Sequence, residues 1–121
     1  MNYDNNNIFA KIIRAEIPCN KIYEDDFVLS FYDINPQKKI HALVIPKGKY
    51  IDLDDFNTNA SNEEIIGLMK GITTVAKKLG ISSTDGQGYR ALANISDYGG
   101  QEVPHLHFHL FGGEKVGKMV S

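Results

Sequence analysis

Ile8, Phe9, Ile12 and Ile13 recur at helical spacing and predict a short helix that must end by Pro18. From Ile22 to Tyr32 the pattern changes to two strands around an acidic turn, Glu24-Asp25-Asp26. Asp33-Ile34-Asn35-Pro36 breaks the second strand into a loop. Ile40 to Ile45 is a third strand, stopped by Pro46 and Gly48. The Asp- and Asn-rich stretch 51–60 reads as a connector with at most a helical turn. Ser61 three residues ahead of Glu64 is a capping box, and Ile65, Leu68, Met69, Ile72, Val75, Ala76 and Leu79 form the stripe of a long helix behind it. Lys77, Lys78 and Gly80 mark its end. Gly67 and Gly71 lie inside that helix at a propensity cost of about 1 kcal/mol each, and are places for another backbone to approach. Tyr89 to Ile95 is a strand, Ser96 to Gln101 a Gly-rich loop, and His105 to Phe111 the last strand.

Short links between these segments predict an α+β domain: a five-stranded antiparallel sheet with one short and one long helix on one face. Residues 1–121 form one domain, long enough to bury about two-thirds of its unfolded surface. Residues 1–7, four of them Asn, are expected to be a flexible N-terminus, and 114–121 a C-terminal tail. The net charge of −2 leaves no footprint for nucleic acid or an acidic membrane. No apolar run approaches the ~20 residues of a membrane span, and the polar start lacks a signal-peptide layout. A single cysteine, Cys19, forms no internal disulfide and suits a reducing, cytoplasmic compartment.

The chemistry is concentrated in His105-Leu106-His107-Phe108-His109-Leu110, which holds three of the four histidines in the chain. Alternation with apolar residues predicts three imidazoles on one strand face and a core on the other. On a strand those residues would lie roughly 6.6 Å and 13 Å apart, too far for all three to meet one ion through bonds of about 2.0–2.1 Å. A pair such as His105 and His107 with a third ligand, His41 or Cys19, remains a metal alternative. A phosphate ester suits a row of imidazoles better, because neighbouring rings can cradle its oxygens while a largely neutral central ring attacks phosphorus.

The triad with Gly99-Gly100-Gln101 before it and Gly112-Gly113 after it resembles the histidine triad (HIT) family. So do residues 8–14 with Glu16-Ile17-Pro18, Asp33-Ile34-Asn35-Pro36-Gln37, His41 to Lys47, and Gly88-Tyr89-Arg90. The likeness runs from residue 8 to about residue 119. Gly112-Gly113 and the compact length resemble the Hint branch and its bacterial purine nucleoside phosphoramidases.

That resemblance implies a HIT-like fold, a homodimer whose sheets join edge to edge, and metal-independent, cofactor-free chemistry on a purine nucleoside phosphoramidate. His107 would be the nucleophile, forming a nucleotidyl-histidine. His105 would support orientation, His109 would contact the phosphate or leaving-group side, and His41 would support the nucleophile's ring. Asp33 would hold the ribose hydroxyls, and Phe9, Ile17 and Ile34 an apolar slot for the base. Asn94, Gly100, Gln101, Glu102, Val103 and Phe108 complete the expected nucleotide site, with backbone N–H groups near the triad sharing the phosphate oxygens. Glu102 is a candidate proton relay. Pro104 departs from the aromatic residue often found before the first histidine. A nucleotide-binding regulator with incidental hydrolysis, and a dinucleoside polyphosphate hydrolase, are the alternative functions.

Overall fold

The computed structural model describes residues 2–120. Five antiparallel strands form one sheet in the order β1-β2-β3-β5-β4. They are β1 (Lys21–Glu24), β2 (Val28–Tyr32), β3 (Ile40–Pro46), β4 (Arg90–Leu92) and β5 (Phe108–Gly112). The helices are α1 (Ile8–Ile13), α2 (Leu53–Asn59) and α3 (Asn62–Lys78).

There are therefore two short helices beside the long one, where the hydrophobic pattern predicts one. The additional helix, α2, lies in the expected connector. Only Phe56 of its seven residues is buried, so it has no apolar period to detect. Asp52 caps it by accepting from the Asp55 N–H, and Asp54 and Asp55 complement the positive end of its dipole. The capping box of α3 forms as expected: the Ser61 hydroxyl accepts from the Glu64 N–H, and the Glu64 carboxylate accepts from the Ser61 N–H.

The helices also lie on both faces of the sheet, not one. Val28, Ala42, Val44, Leu106 and Leu110 pack with Leu68, Ile72 and Val75 of α3. On the other face Leu29, Phe31, Leu43 and Ile45 pack with Phe9 and Ile12 of α1. Alternation along β2 and β3 requires this, since both faces of those strands are apolar. Gly67 admits a side chain rather than a backbone: a Cβ there would lie 2.6 Å from the Phe27 ring.

Residues 2–7 make hydrogen bonds of their own in the structure. The Asn7 side chain accepts from the Ala10 N–H to cap α1 and donates to the Asp4 carbonyl, while Arg14 donates to the Asn5 carbonyl. Met1 and Ser121 lie outside the described residues. No helix among the described residues is long and apolar enough to cross a membrane.

Candidate active site

The last strand starts three residues later than its alternation suggests. β4 ends at Leu92, which pairs with His109, and the β3–β5 ladder ends at Val44 beside Phe108 although β3 runs on to Pro46 against β2. Residues 105–107 have lost their ladder partners, and the chain turns so that the Leu106 N–H donates to the Tyr50 carbonyl at 2.9 Å. His105 and His107 thus precede β5 and only His109 lies on it. The two-faced pattern survives. Leu106, Phe108 and Leu110 face the α3 core, and the histidines face the other way.

Each imidazole has a different set of partners, which assigns its tautomer. His105 is wholly buried. Its Nε2 is 2.8 Å from the Pro46 carbonyl, which can only accept, so Nε2 carries the proton. Its Nδ1 then accepts from the Tyr3 hydroxyl at 2.6 Å. His107 Nδ1 donates to the His105 carbonyl at 2.8 Å, which leaves Nε2 with a free lone pair. His41 Nδ1 accepts from the Gln37 N–H at 3.2 Å. Its Nε2–H therefore points to His109 Nδ1, 2.9 Å away, with Asp33 Oδ2 at 3.5 Å. That bond makes Nε2 the protonated nitrogen of neutral His109, a hydrogen-bond donor.

Burial disfavours the charged form of every one of these rings. It lowers His105 and His109 to about 4, and at His109 the repulsion of His107 and His41 when they are protonated adds to the shift. His107 and His41 are lowered too, first by burial, against opposing pulls that include the Asp33 carboxylate. At neutral pH the site holds four uncharged imidazoles. Their unshared lone pairs are not lost to protonation.

Two cavities meet at Asp33. One, of about 560 Å³, is polar and lined by Asp33, Asn35, His41, Asn94, Glu102 and His109, with Gly100 at its edge. The other, of about 360 Å³, is apolar and lined by Phe9, Ile17, Phe31, Ile34, Leu43 and Val103, with Asp33 at its mouth. His107 is 6% exposed and lines neither cavity, but its ring meets Phe9 of the apolar one edge-on at 4.9 Å and lies 5.0 Å from the ring of His109 of the polar one. Asp33 is brought beside His41 by the loop between β2 and β3. Its N–H donates to the His41 carbonyl, and its Oδ1 accepts from the Asn35 N–H. Oδ2 remains directed toward His41.

Two expected contacts take another form. The Phe108 side chain packs against the α3 core, because it has the parity of Leu106 and Leu110, so it does not line the cavities. The Gln101 amide is committed to backbone partners in its own loop and at Ile51. Nε2 donates to the Ile51 and Val103 carbonyls, and Oε1 accepts from the Ser96 N–H. Gln101 shapes the loop rather than offering a free amide. Gly99 is required by close approach, since a Cβ there would lie 2.4 Å from the Ile95 carbonyl oxygen.

A metal grouping also differs from the expected one. Asp33, His41 and His109 have donor atoms within 4.8 Å of one another, whereas the histidine spacing suggested His105 and His107. The His41–His109 hydrogen bond uses the proton of one ring and the lone pair of the other, so an ion there would have to displace that proton.

Residues 14–116 match the HIT domain. The chain belongs to the histidine triad family. An uncharacterised 13.2 kDa HIT-like protein of Azospirillum brasilense is 49% identical over 119 residues, covering 98% of this chain and 95% of that one. The purine nucleoside phosphoramidase of Escherichia coli K12 is 42% identical over 114 residues, covering 94% and 92%. Among solved structures, a HIT family hydrolase from Clostridium thermocellum superposes with a TM-score of 0.85 at 36% identity, covering 98% of this chain and 99% of that one.

Within this HIT protein, sequence reasoning missed Tyr3, the Gln37 N–H and the Pro46 carbonyl as partners of the histidines. Two of the three are backbone groups, which no side-chain pattern reveals. Tyr3 sits in a polar stretch without periodicity.

Proposed function

We propose that this HIT protein is a hydrolase of purine nucleoside 5′-phosphoramidates that acts through a nucleotidyl-histidine on His107. The observation that carries this reading is the pair of cavities sharing Asp33. The apolar slot has the size and lining for a base, the polar cavity has the free Nε2–H of His109 for a phosphate, and the carboxylate between them suits ribose. The 42% identity to a purine nucleoside phosphoramidase supports the same substrate class.

In this mechanism the free lone pair on His107 Nε2 attacks the α-phosphorus. A nitrogen–phosphorus bond forms to the ring as the bond to the leaving amine breaks. The departing nitrogen takes up one proton, which Glu102 on the rim of the polar cavity is placed to relay. His109 donates Nε2–H to a phosphoryl oxygen, where charge is held in the transition state. Water then attacks the same phosphorus as the His107 Nε2–P bond breaks, giving up one proton to solvent, which releases the nucleoside monophosphate and restores His107. The reading includes a homodimer with sheets joined edge to edge.

The test is release of AMP from adenosine 5′-phosphoramidate with and without EDTA. Turnover that persists in chelator is expected. Turnover abolished by EDTA would move the chemistry to an ion on Asp33, His41 and His109. AMP binding without turnover would favour a nucleotide-binding regulator.

Asp33→Asn keeps an oxygen for the Asn35 N–H but removes the charge offered to the ribose. It is expected to raise KM by about tenfold or more, the range for a hydrogen bond to a charged group. A 2′-deoxy substrate should lose a similar factor with the unaltered protein and little more with the variant. Equal losses in both proteins would remove Asp33 from ribose recognition.

A further inference from the structure

Tyr3 lies ahead of residue 14, where the family match begins, yet it touches the first histidine of the triad. Its hydroxyl is 2.6 Å from His105 Nδ1, and its ring meets the imidazole edge-on at a centroid distance of 5.7 Å. The segment carrying it is folded by its own contacts: Asp4 accepts from the Asn6 N–H, and the Asn7 amide donates back to the Asp4 carbonyl.

The His105 ring leaves little freedom. It is wholly buried, so each nitrogen needs a protein partner. The Pro46 carbonyl admits only a proton on Nε2, and Nδ1 must then be an acceptor. Tyr3 supplies the donor. Burial raises the Tyr3 phenol above its ordinary value near 10, so it keeps the proton it shares. Without that hydroxyl, Nδ1 would be a buried acceptor with no partner. The ring would then turn, change tautomer or admit water. The consequence reaches the nucleophile through one backbone group, because the His105 carbonyl accepts from His107 Nδ1–H at 2.8 Å.

We propose that Tyr3 is a positioning residue for the nucleophile: its hydroxyl locks the His105 ring and, through the His105 carbonyl, holds His107 with Nε2 free to attack. Its effect on turnover rests on the hydrolase reading above, whereas its effect on the imidazoles does not.

The experiment compares the unaltered chain with Tyr3→Phe, which keeps the ring and removes only the oxygen. Tyr23→Phe removes a tyrosine hydroxyl bound to Asp25, outside both cavities, and serves as control. Two readouts are taken: kcat and KM for adenosine 5′-phosphoramidate, and 15N spectra of the histidine rings, which report tautomer and hydrogen bonding. Tyr3→Phe is expected to lower kcat about tenfold with KM within about twofold, the worth of one buried hydrogen bond. The Nδ1 signal of His105 should lose its hydrogen-bonded character and the His107 ring signals should shift. Tyr23→Phe should leave kcat and these signals unchanged.

Unchanged His105 and His107 signals in Tyr3→Phe overturn the proposal whatever the rate does. A rise in KM with constant kcat also overturns it, since that would make Tyr3 part of substrate binding. If the unaltered chain releases no AMP, the hydrolase reading fails, and the ring signals alone decide whether Tyr3 positions His107.

Discussion

His107→Ala is expected to lower AMP release from adenosine 5′-phosphoramidate by on the order of 10⁴-fold or more, the scale on which removing a covalent nucleophile acts. His107 is the imidazole whose Nδ1 is tied to a backbone carbonyl and whose Nε2 has no hydrogen-bond partner among the described residues, with its ring against Phe9 of one cavity and His109 of the other. Affinity for AMP should fall far less, because the slot and Asp33 remain. On the proposed mechanism His109→Ala removes one donor to the phosphoryl group and should cost about 10²–10³-fold in kcat. Isothermal titration with AMP beside the rate measurement separates the two effects. A His107→Ala protein retaining more than about a hundredth of the activity would point to direct attack by water, with His107 as a general base at most.

Stability is expected to fall as pH drops from about 6.5 to about 4, before most carboxylates titrate. In the folded chain His105 and His109 titrate near 4, lowered first by burial. In the unfolded chain they take up protons near 6.5. Above 6.5 both states are neutral and the rings contribute no pH dependence. Between those values the unfolded state binds more protons, so it gains free energy relative to the native state as pH falls. Below 4 both states are charged and the slope from these rings ends. For His105 the whole effect is on the order of 3 kcal/mol. His109 is more open to solvent and contributes less.

Glu24 acts in a lower window. Its hydrogen bonds to Lys21 and Lys47 hold it at about 2, so its contribution is present above the usual carboxylate range and lost as pH falls toward 2. Urea midpoints measured between pH 7.5 and 4.5 isolate the histidines. A flat stability across that interval would mean the imidazoles are solvated in the folded chain.

The elements most legible in the sequence are those whose signals are local. Ser61 and Glu64 cap α3 because their geometry needs only four consecutive residues. The acidic turn between β1 and β2 forms around Asp25, whose carboxylate accepts from the Phe27 and Val28 N–H groups. α2 was illegible because one buried phenylalanine makes no period. The bounds of β5 were illegible because they depend on where β4 stops and where residues 105–107 leave β3 for the Tyr50 carbonyl, partners that lie in other parts of the chain.

The site divides along the same line. By itself, the sequence determined the chemistry available: three alternating histidines whose intervening apolar residues had to face a core, an Asp at a strand end, and apolar residues ahead of Pro18. It also determined the family, through motifs spread across most of the chain. Only the tertiary structure decided which nitrogen of each ring carries a proton, because the deciding partners are the Tyr3 hydroxyl, the His105 and Pro46 carbonyls and the Gln37 N–H. It also decided that Gln101 is spent on its loop and that Phe108 belongs to the core. The physical reason is that a side chain's identity sets what it can donate or accept, whereas its protonation and partners depend on burial and on backbone groups brought together by folding.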